Sequence, residues 1–287
     1  MFLMYFEKGG NMLTVNNLKK SYGDKLVLDG INLDLGKGLY GLLGENGAGK
    51  STLFKTLIGY EGVDSGEIKL DSQKIGFLPQ KFIGYPDFSV DDFLSYMADL
   101  KAISKENMTG EIEKVKNIFN LDGFSKKKLK KLSGGQLRRV GLGQAFLNNP
   151  DIVLLDEPTS GLDPSERIRL KNFIVEMSHD RLIILSTHIV DDLTSISKEI
   201  LILHGNKIAM QDSEKSLLKN LEGYVWECPY DLYLNNQTQN DILSKVYQKD
   251  SKDYIRLISK AKPFEMARAI EPSLDDVFLA VIKDFDL

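Results

Sequence analysis

Gly44-Glu45-Asn46-Gly47-Ala48-Gly49-Lys50-Ser51 satisfies the pattern G-x-x-x-x-G-K-[ST]. Glycine at these positions lets consecutive backbone N–H groups curl around a polyphosphate without side-chain obstruction. Lys50 would then bridge the β- and γ-phosphates, and the Ser51 hydroxyl would ligate Mg²⁺. A helix opening at this point adds partial positive charge beneath the phosphates, and Thr52 joins the nucleotide-binding set. The alternative, a plain Gly-rich turn, requires neither the Lys-Ser pair nor a strand before and a helix after. A second constellation closes the apolar run Ile152-Val153-Leu154-Leu155 with Asp156-Glu157. Burying two acids at a strand end is costly unless they serve a cation or a reacting water. Asp156 is expected to hold Mg²⁺, directly or through water, and Glu157 to polarise the attacking water. Taken alone, the pair would also suit a strand that merely ends in charged residues.

These residues need elements to hold them. Gly38-Leu39-Tyr40-Gly41-Leu42-Leu43 reads as a buried strand entering the loop, and Thr52–Ile58 as a helix leaving it. Upstream, Leu13-Thr14-Val15, Leu26-Val27-Leu28 and Ile31-Asn32-Leu33 alternate between turn signals at Tyr22-Gly23-Asp24 and Asp29-Gly30, the grammar of antiparallel strands. Residues 84–149 read as helical, with a capping box at Ser89/Asp92 and Val90, Phe93, Leu94 and Met97 on one face. Strand Ile152–Leu155, helix Ser165–Met177 and strand Leu182–Leu185 give the βαβ rhythm of a parallel sheet, and Ile200–Leu203 with Lys207–Met210 a closing hairpin. The expected fold is α/β: a P-loop NTPase core with a mostly parallel sheet, an antiparallel β subdomain and a helical subdomain. It spans 12–210. Residues 211–287 would add a small α+β extension, with a helix at Ser213–Leu221, strands near Tyr224–Cys228 and Tyr254–Ile258, and a last helix opened by the capping box Ser273/Asp276. No internal repeat is found.

The 287 residues are 42% hydrophobic and 27% charged, enough for one or two sizeable cores. A net charge of −4 gives no footprint for wrapping nucleic acid, so none is expected as partner. Cys228 is the one cysteine, which excludes an intrachain disulfide and a cysteine-based zinc site and suggests a reducing compartment. It is read as packing. No run approaches the about 18 apolar residues of a spanning helix. Met1–Phe6 is too short and lacks the basic region of a secretory signal. His179 and His204 are read as surface residues. The run Lys126-Lys127-Lys128-Leu129-Lys130-Lys131 suits a solvated face or, alternatively, an approach to anionic lipid.

Leu132-Ser133-Gly134-Gly135-Gln136 resembles the signature of the ATP-binding cassette (ABC) ATPases. It begins 82 positions after Lys50 and 24 before Asp156, in the family's order. The resemblance covers about residues 12–210 and implies further roles. Tyr22, alone more simply a packed strand aromatic, would stack on adenine. Gln80, in Phe77-Leu78-Pro79-Gln80, would reach Mg²⁺ or its water. Asp163 would close the loop Ser160-Gly161-Leu162-Asp163, and His188, alone an ordinary loop histidine, would meet the γ-phosphate and help hold the water against Glu157. Lys50 and Gln80 would join Glu157 and His188 in catalysis. The family mechanism implies two copies facing head to tail, each ATP lying between one copy's phosphate loop and the other's Ser133, Gly134, Gly135 and Gln136. ATP with Mg²⁺ then acts as electrostatic glue that hydrolysis removes.

Arg138–Ala145, Glu166–Arg169 and Ser273–Leu279 resemble the bacterial branch serving drug, bacteriocin and peptide exporters. That implies a separate transmembrane permease subunit, an ATP-dependent homodimer or a heterodimer with a paralogous ATPase, and a cytoplasmic, peripheral place on the inner face of the cell membrane. Phe82, Tyr85, Phe88 and Phe93 would line a groove for the permease or, alternatively, belong to the core. The competing reading is a cassette ATPase of translation-factor or cluster-assembly type, without a membrane partner. A DNA-repair cassette would need a coiled-coil insertion between Lys50 and Leu132 for which there is no space. Asn206-Lys207 lacks the aspartate that a guanine-reading GTPase motif wants.

Overall fold

The computed structural model describes residues 11–234 and 241–286, so Met1–Phe6 lies outside the described residues. β1 (Leu13–Tyr22) turns at Gly23-Asp24 into β2 (Lys25–Leu35). The turn expected at Asp29-Gly30 does not break β2: Leu18 pairs with Ile31 and Lys19 with Asp29, which leaves Gly30 as the extra residue of a bulge. Its φ of +70° is a left-handed value that glycine adopts without strain, so an Asp-Gly turn signal has been used to bend a continuous strand.

β3 (Gly38–Leu43) leads through the phosphate loop into α1 (Lys50–Leu57), followed by β4 (Ser65–Leu70) and β5 (Ile75–Leu78). β4 completes an antiparallel sheet of order β2-β1-β4. The helical block holds α2 (Val90–Leu100), α3 (Lys105–Ile118) and α4 (Gly134–Phe146). Ser89 caps α2 through the expected box, and Val90, Phe93 and Leu94 are buried, with Met97 packed at the edge of the core. β6 (Ile152–Asp156), α5 (Pro164–Ser178), β7 (Leu182–Thr187), β8 (Glu199–His204) and β9 (Lys207–Asp212) then complete a six-stranded sheet of order β5-β6-β7-β3-β8-β9. It is parallel throughout except for the β8/β9 hairpin.

The sheet is buried on both faces, which is why its strands read as unbroken apolar runs. Leu39, Leu43, Val153, Leu155, Ile183, Leu185, Ile200 and Ile202 point to the side of the helical block and α5. Their alternates Tyr40, Leu42, Ile152, Leu154, Leu182, Ile184, Leu201 and Leu203 point to α1 and the antiparallel sheet. Each such side chain contributes about 1.5–3 kcal/mol by leaving water, so strand register, and with it the loops at the strand ends, is firmly set.

The remaining chain forms α6 (Glu214–Asn220), β10 (Val225–Pro229), α7 (Tyr230–Leu234), β11 (Ile242–Lys249), β12 (Lys252–Ile258), β13 (Arg268–Ala269) and α8 (Leu274–Ile282). Its antiparallel sheet has the order β11-β12-β10-β13. Leu217, Leu221, Val225, Ile258, Leu274 and Val277 share one core with Val190, Leu193 and Ile200 of the preceding segment. The fully buried Asp276 ties α8 to this sheet, accepting from Arg256 Nε at 2.8 Å and from Ser244 Oγ at 2.6 Å. Burial works to raise the Asp276 carboxyl, but the hydrogen bonds from Arg256, Ser244 and Ser273 prevail and hold it below its ordinary range. Cys228 is buried packing, and burial pushes its thiol up to about 11. His204 departs from expectation: it is half-buried, with Nε2 3.3 Å from Asp284 Oδ1. The basic run is paired at its surface, Lys126 with Asp91 at 2.9 Å and Lys130 with Asp87 at 2.6 Å.

Candidate functional site

The phosphate loop is shaped by Gly49, whose φ of +109° is closed to side-chain-bearing residues and whose added Cβ would meet Val27 and Leu28 at 3.1–3.2 Å. α1 begins immediately afterwards, two residues earlier than the Thr52 start expected, so Lys50 and Ser51 sit in its first turn. Lys50 Nζ donates to the carbonyls of Gly44 at 2.7 Å and Glu45 at 3.0 Å, and Ala48 N donates to Glu45 O. Burial lowers the ammonium's pKa, opposed by the nearby Glu157 and Asp156 charges, so an arriving polyanion would supply the counter-charge it lacks.

Ser51 Oγ donates to Asp156 Oδ2 at 2.6 Å, and Ser186 Oγ donates to Asp156 Oδ1. The hydroxyl of the loop and the carboxylate at the end of β6 thus converge. Glu157, the next residue, has a left-handed φ of +49°. That turn of backbone, pinned by Glu157 N donating to Ser186 O at 3.0 Å, directs the carboxylate toward the end of β7, where Oε1 lies 2.9 Å from His188 Nδ1. Tyr22, Lys25, Val27, Asn46, Gly47, Gly49, Lys50, Ser51, Thr52, Gln80 and Glu157 line one cavity of about 330 Å³. An open groove of about 1040 Å³ lies elsewhere, between α6 and residues 269–272, and contains none of these groups. Tyr22 stands 46% exposed at the cavity mouth, its hydroxyl donating to Glu61. Hydroxyl, carboxylate and amide oxygens at Ser51, Asp156 and Gln80 form the hard donor set that suits Mg²⁺.

Ser133, Gly134, Gly135, Gln136 and Asp163 do not line this cavity. Ser133 caps α4 and forms a capping box with Gln136, Gly134 has open space where a Cβ would stand, and Gly135 lies beside Gly161 O. Asp163 caps α5, accepting from Glu166 N at 2.8 Å. The sequence-predicted residues therefore fall into two groups, one at the phosphate-loop cavity and one outside it at the N-termini of α4 and α5.

Several contributors were not singled out from sequence. Lys25 and Val27 wall the cavity because the β1/β2 turn folds over it. Arg138, on α4 two residues past Gln136, is buried and donates to carbonyls only: Pro79 and Gln80 at 3.0 Å each, Asp156 at 2.5 Å, Pro158 at 3.3 Å and Glu157. Burial brings its guanidinium down to about 10, against the raising effect of Asp156 and Glu157. Its place in the helical run after the signature was visible; its partners, 58 and 18 residues away, were not.

A phosphate loop between a buried parallel strand and a helix, faced by a hydroxyl-linked aspartate and an adjoining glutamate, defines a P-loop nucleoside triphosphatase. The family model described as ABC transporter matches residues 28–160. The uncharacterized ABC transporter ATP-binding protein YhaQ of Bacillus subtilis is 30% identical, covering 93% of this chain and 97% of that protein. Among solved structures, the dimeric bacterial ABC transporter cassette MJ0796 is similar with a TM-score of 0.66 and 23% identity over 70% of this chain and 98% of that one. The cbiO1 protein of Clostridium perfringens, part of the ABC transporter complex cbiONQ, has a TM-score of 0.63 and 25% identity over 74% of this chain and 95% of that one. The chain belongs to the ATP-binding proteins of ABC transporters, a family of ATPases. Among the described residues no helix is long and apolar enough to cross a membrane.

Proposed function

We propose that the chain hydrolyses Mg-ATP at a site completed only when two copies meet, and uses the resulting closure to drive export through a separate permease. The observation that carries this reading is the split described above: Lys50, Ser51, Asp156, Glu157 and His188 converge, while Ser133–Gln136 and Asp163 lie outside that cavity. The solved dimer of a similarly folded cassette supports pairing. Tyr22 stacks on the adenine; Asn46, Gly47, Gly49, Lys50 and Thr52 hold the phosphates. Ser51, Asp156 and Gln80 would hold Mg²⁺, which would supply neutralisation of the triphosphate charge. Glu157 accepts a proton from the attacking water, and His188, hydrogen-bonded to that carboxylate, keeps it aimed and reaches the γ-phosphate. Ser133 and Gly135, at the start of the partner's α4, supply N–H donors to the same phosphate.

The exporter-like stretches and the similar protein that works within a transporter complex support a membrane partner and a peripheral place on the cytoplasmic face. Of the four aromatics expected to line the docking groove, Tyr85 and Phe88 form a ring cluster with Tyr96, centroids 5.2–5.7 Å apart, while Phe82 is partly buried and stacks edge-on against Phe93 at 5.8 Å. Phe93 leaves that groove, being 2% exposed and part of the core.

Glu157→Gln tests the reading. It keeps size and removes the charge, so hydrolysis should fall by the ~10²–10⁴ of a lost general base, while ATP stays bound. The variant should run as an ATP-containing dimer on size exclusion, and adding Ser133→Arg should return it to monomer. A Glu157→Gln protein that stays monomeric in saturating Mg-ATP would falsify the composite site.

A further inference from the structure

The carboxylate of Asp192 has no exposure to solvent and lies in the single turn Val190–Asp192 that follows His188. Its Oδ2 accepts from Thr159 Oγ1 at 2.6 Å and from Thr187 Oγ1 at 3.2 Å. Both hydroxyls are themselves buried. Oδ1 lies 3.7 Å from Arg167 Nε, close enough for attraction but beyond a hydrogen bond. Thr159 comes two residues after Glu157 and opens the loop that leads to Asp163; Thr187 immediately precedes His188. Besides the Glu157–His188 contact, Ser186 joins the two strand ends, its Oγ accepting from Glu157 N at 3.2 Å and donating to Asp156; Asp192 is the side chain that reaches beyond them to Thr159.

We propose that Asp192 is a positioning residue for hydrolysis: by clamping Thr159 and Thr187 on one buried carboxylate oxygen, it fixes the approach of Glu157 to His188 and the exit of the Ser160–Asp163 loop. This rests on the reading of Glu157 and His188 as the pair that activates water. Geometry explains why such a clamp is needed. Glu157 holds a left-handed backbone, a conformation that persists only where its surroundings over-determine it. β6 ends at Asp156 and β7 at Thr187; Glu157 is still held by Ser186 and Arg138, but sheet register does not extend to Thr159 or His188. A buried carboxylate receiving two hydroxyls orders both exits at once, since leaving either charge or hydroxyl unpartnered is costly. Asp192 is not among the residues lining the cavity, so the expected loss falls on turnover more than on ATP affinity.

Steady-state ATPase kinetics on the full chain decide the matter, with nucleotide binding measured by a fluorescent ATP analogue and folding by melting temperature. Asp192→Ala should lower kcat by roughly 10- to 100-fold, as a misplacement of about 1 Å does, while KM and analogue affinity change less than about twofold. Asp192→Asn, which keeps an acceptor oxygen in the same place, should recover much of the loss. Because Asp192→Ala exposes a buried hole, Thr187→Val and Thr159→Val supply gentler versions that remove one donor each and keep the volume. Their effects on kcat should vanish in the Asp192→Ala background, as expected for groups acting through one atom. Normal kcat in Asp192→Ala and in both threonine variants, beside an inactive Glu157→Gln, overturns the proposal alone. So does a loss of activity that only tracks melting temperature, with kcat per folded molecule unchanged. Full activity in Glu157→Gln overturns the catalytic pair and the proposal with it.

Discussion

Arg138 donates from Nη1 to the backbone carbonyl of Gln80 at 3.0 Å. The same guanidinium holds the carbonyls of Asp156 and Glu157 through Nη2, so α4, which Ser133 caps, grips both the segment leading to the helical block and the acid end of β6. A displacement of α4 is thereby felt at Gln80 and Glu157 together.

Arg138→Lys keeps a positive charge but offers one point donor in place of a planar fork. It should cost about 1.5–3 kcal/mol of stability, the worth of a charged hydrogen bond, and lower kcat more than it raises KM for ATP. Denaturant midpoints and ATPase kinetics together check this. An unchanged kcat would show that the carbonyl cluster is held without it.

The Tyr22 hydroxyl donates to Glu61, which in turn meets Lys55 Nζ at 3.1 Å. Removing the ring in Tyr22→Ala should weaken ATP by the ~1–3 kcal/mol of one aromatic–base stack and leave turnover at saturation nearly intact. Tyr22→Phe, which keeps the ring, should bind close to wild type. Fluorescent-nucleotide titration separates the two, and an Ala variant with normal affinity would remove Tyr22 from the adenine site.

Charge placed on the aromatic cluster should separate hydrolysis from transport. Tyr85→Glu and Tyr96→Glu lie at exposed positions, so the fold should tolerate them, and basal ATPase activity should persist. Co-purification with the permease and transport in vesicles should fall. Intact transport in both variants would place the docking surface elsewhere.

Asp276 gives the clearest pH dependence. Its folded carboxyl titrates below its ordinary range, so the charged form favours the folded state; that stability is fully present above about pH 4, the unfolded value, and is lost as pH falls through the folded one. Asp276→Asn should therefore cost about 3–5 kcal/mol at pH 7, because Arg256 is left half-buried without its partner. The gap between variant and wild type should narrow in denaturation at pH 3.5. A constant gap would mean that the carboxyl is not charged in the folded chain.

What could be read from sequence was what is written locally. The phosphate loop, the capping boxes at Ser89 and Ser273 and the buried runs around β6 and β7 depend on neighbours within a few residues, and the structure places them as expected. Gly30 shows the limit, since an Asp-Gly pair marks a hairpin turn or a bulge according to the register of its partner strand. β5, four residues long, and β11, whose Ile242–Lys249 mixes exposed Leu243 and Val246 with lysines at a sheet edge, carry little periodic signal. Arg138 and Asp192 were missed for a different reason. Each is an ordinary helix or turn residue until folding brings remote carbonyls or hydroxyls to it.

The apolar cluster that joins Leu217, Val225, Leu274 and Val277 to Val190 and Ile200 sets terms for inheritance. Recombination near residue 210 would leave bare hydrocarbon on both fragments, at about 25 cal/mol for each Å² left wet. The carboxy-terminal unit therefore cannot be traded freely among relatives. A methyl group gained on α8 has to be matched by space opened beneath it, and the two segments must drift as a pair.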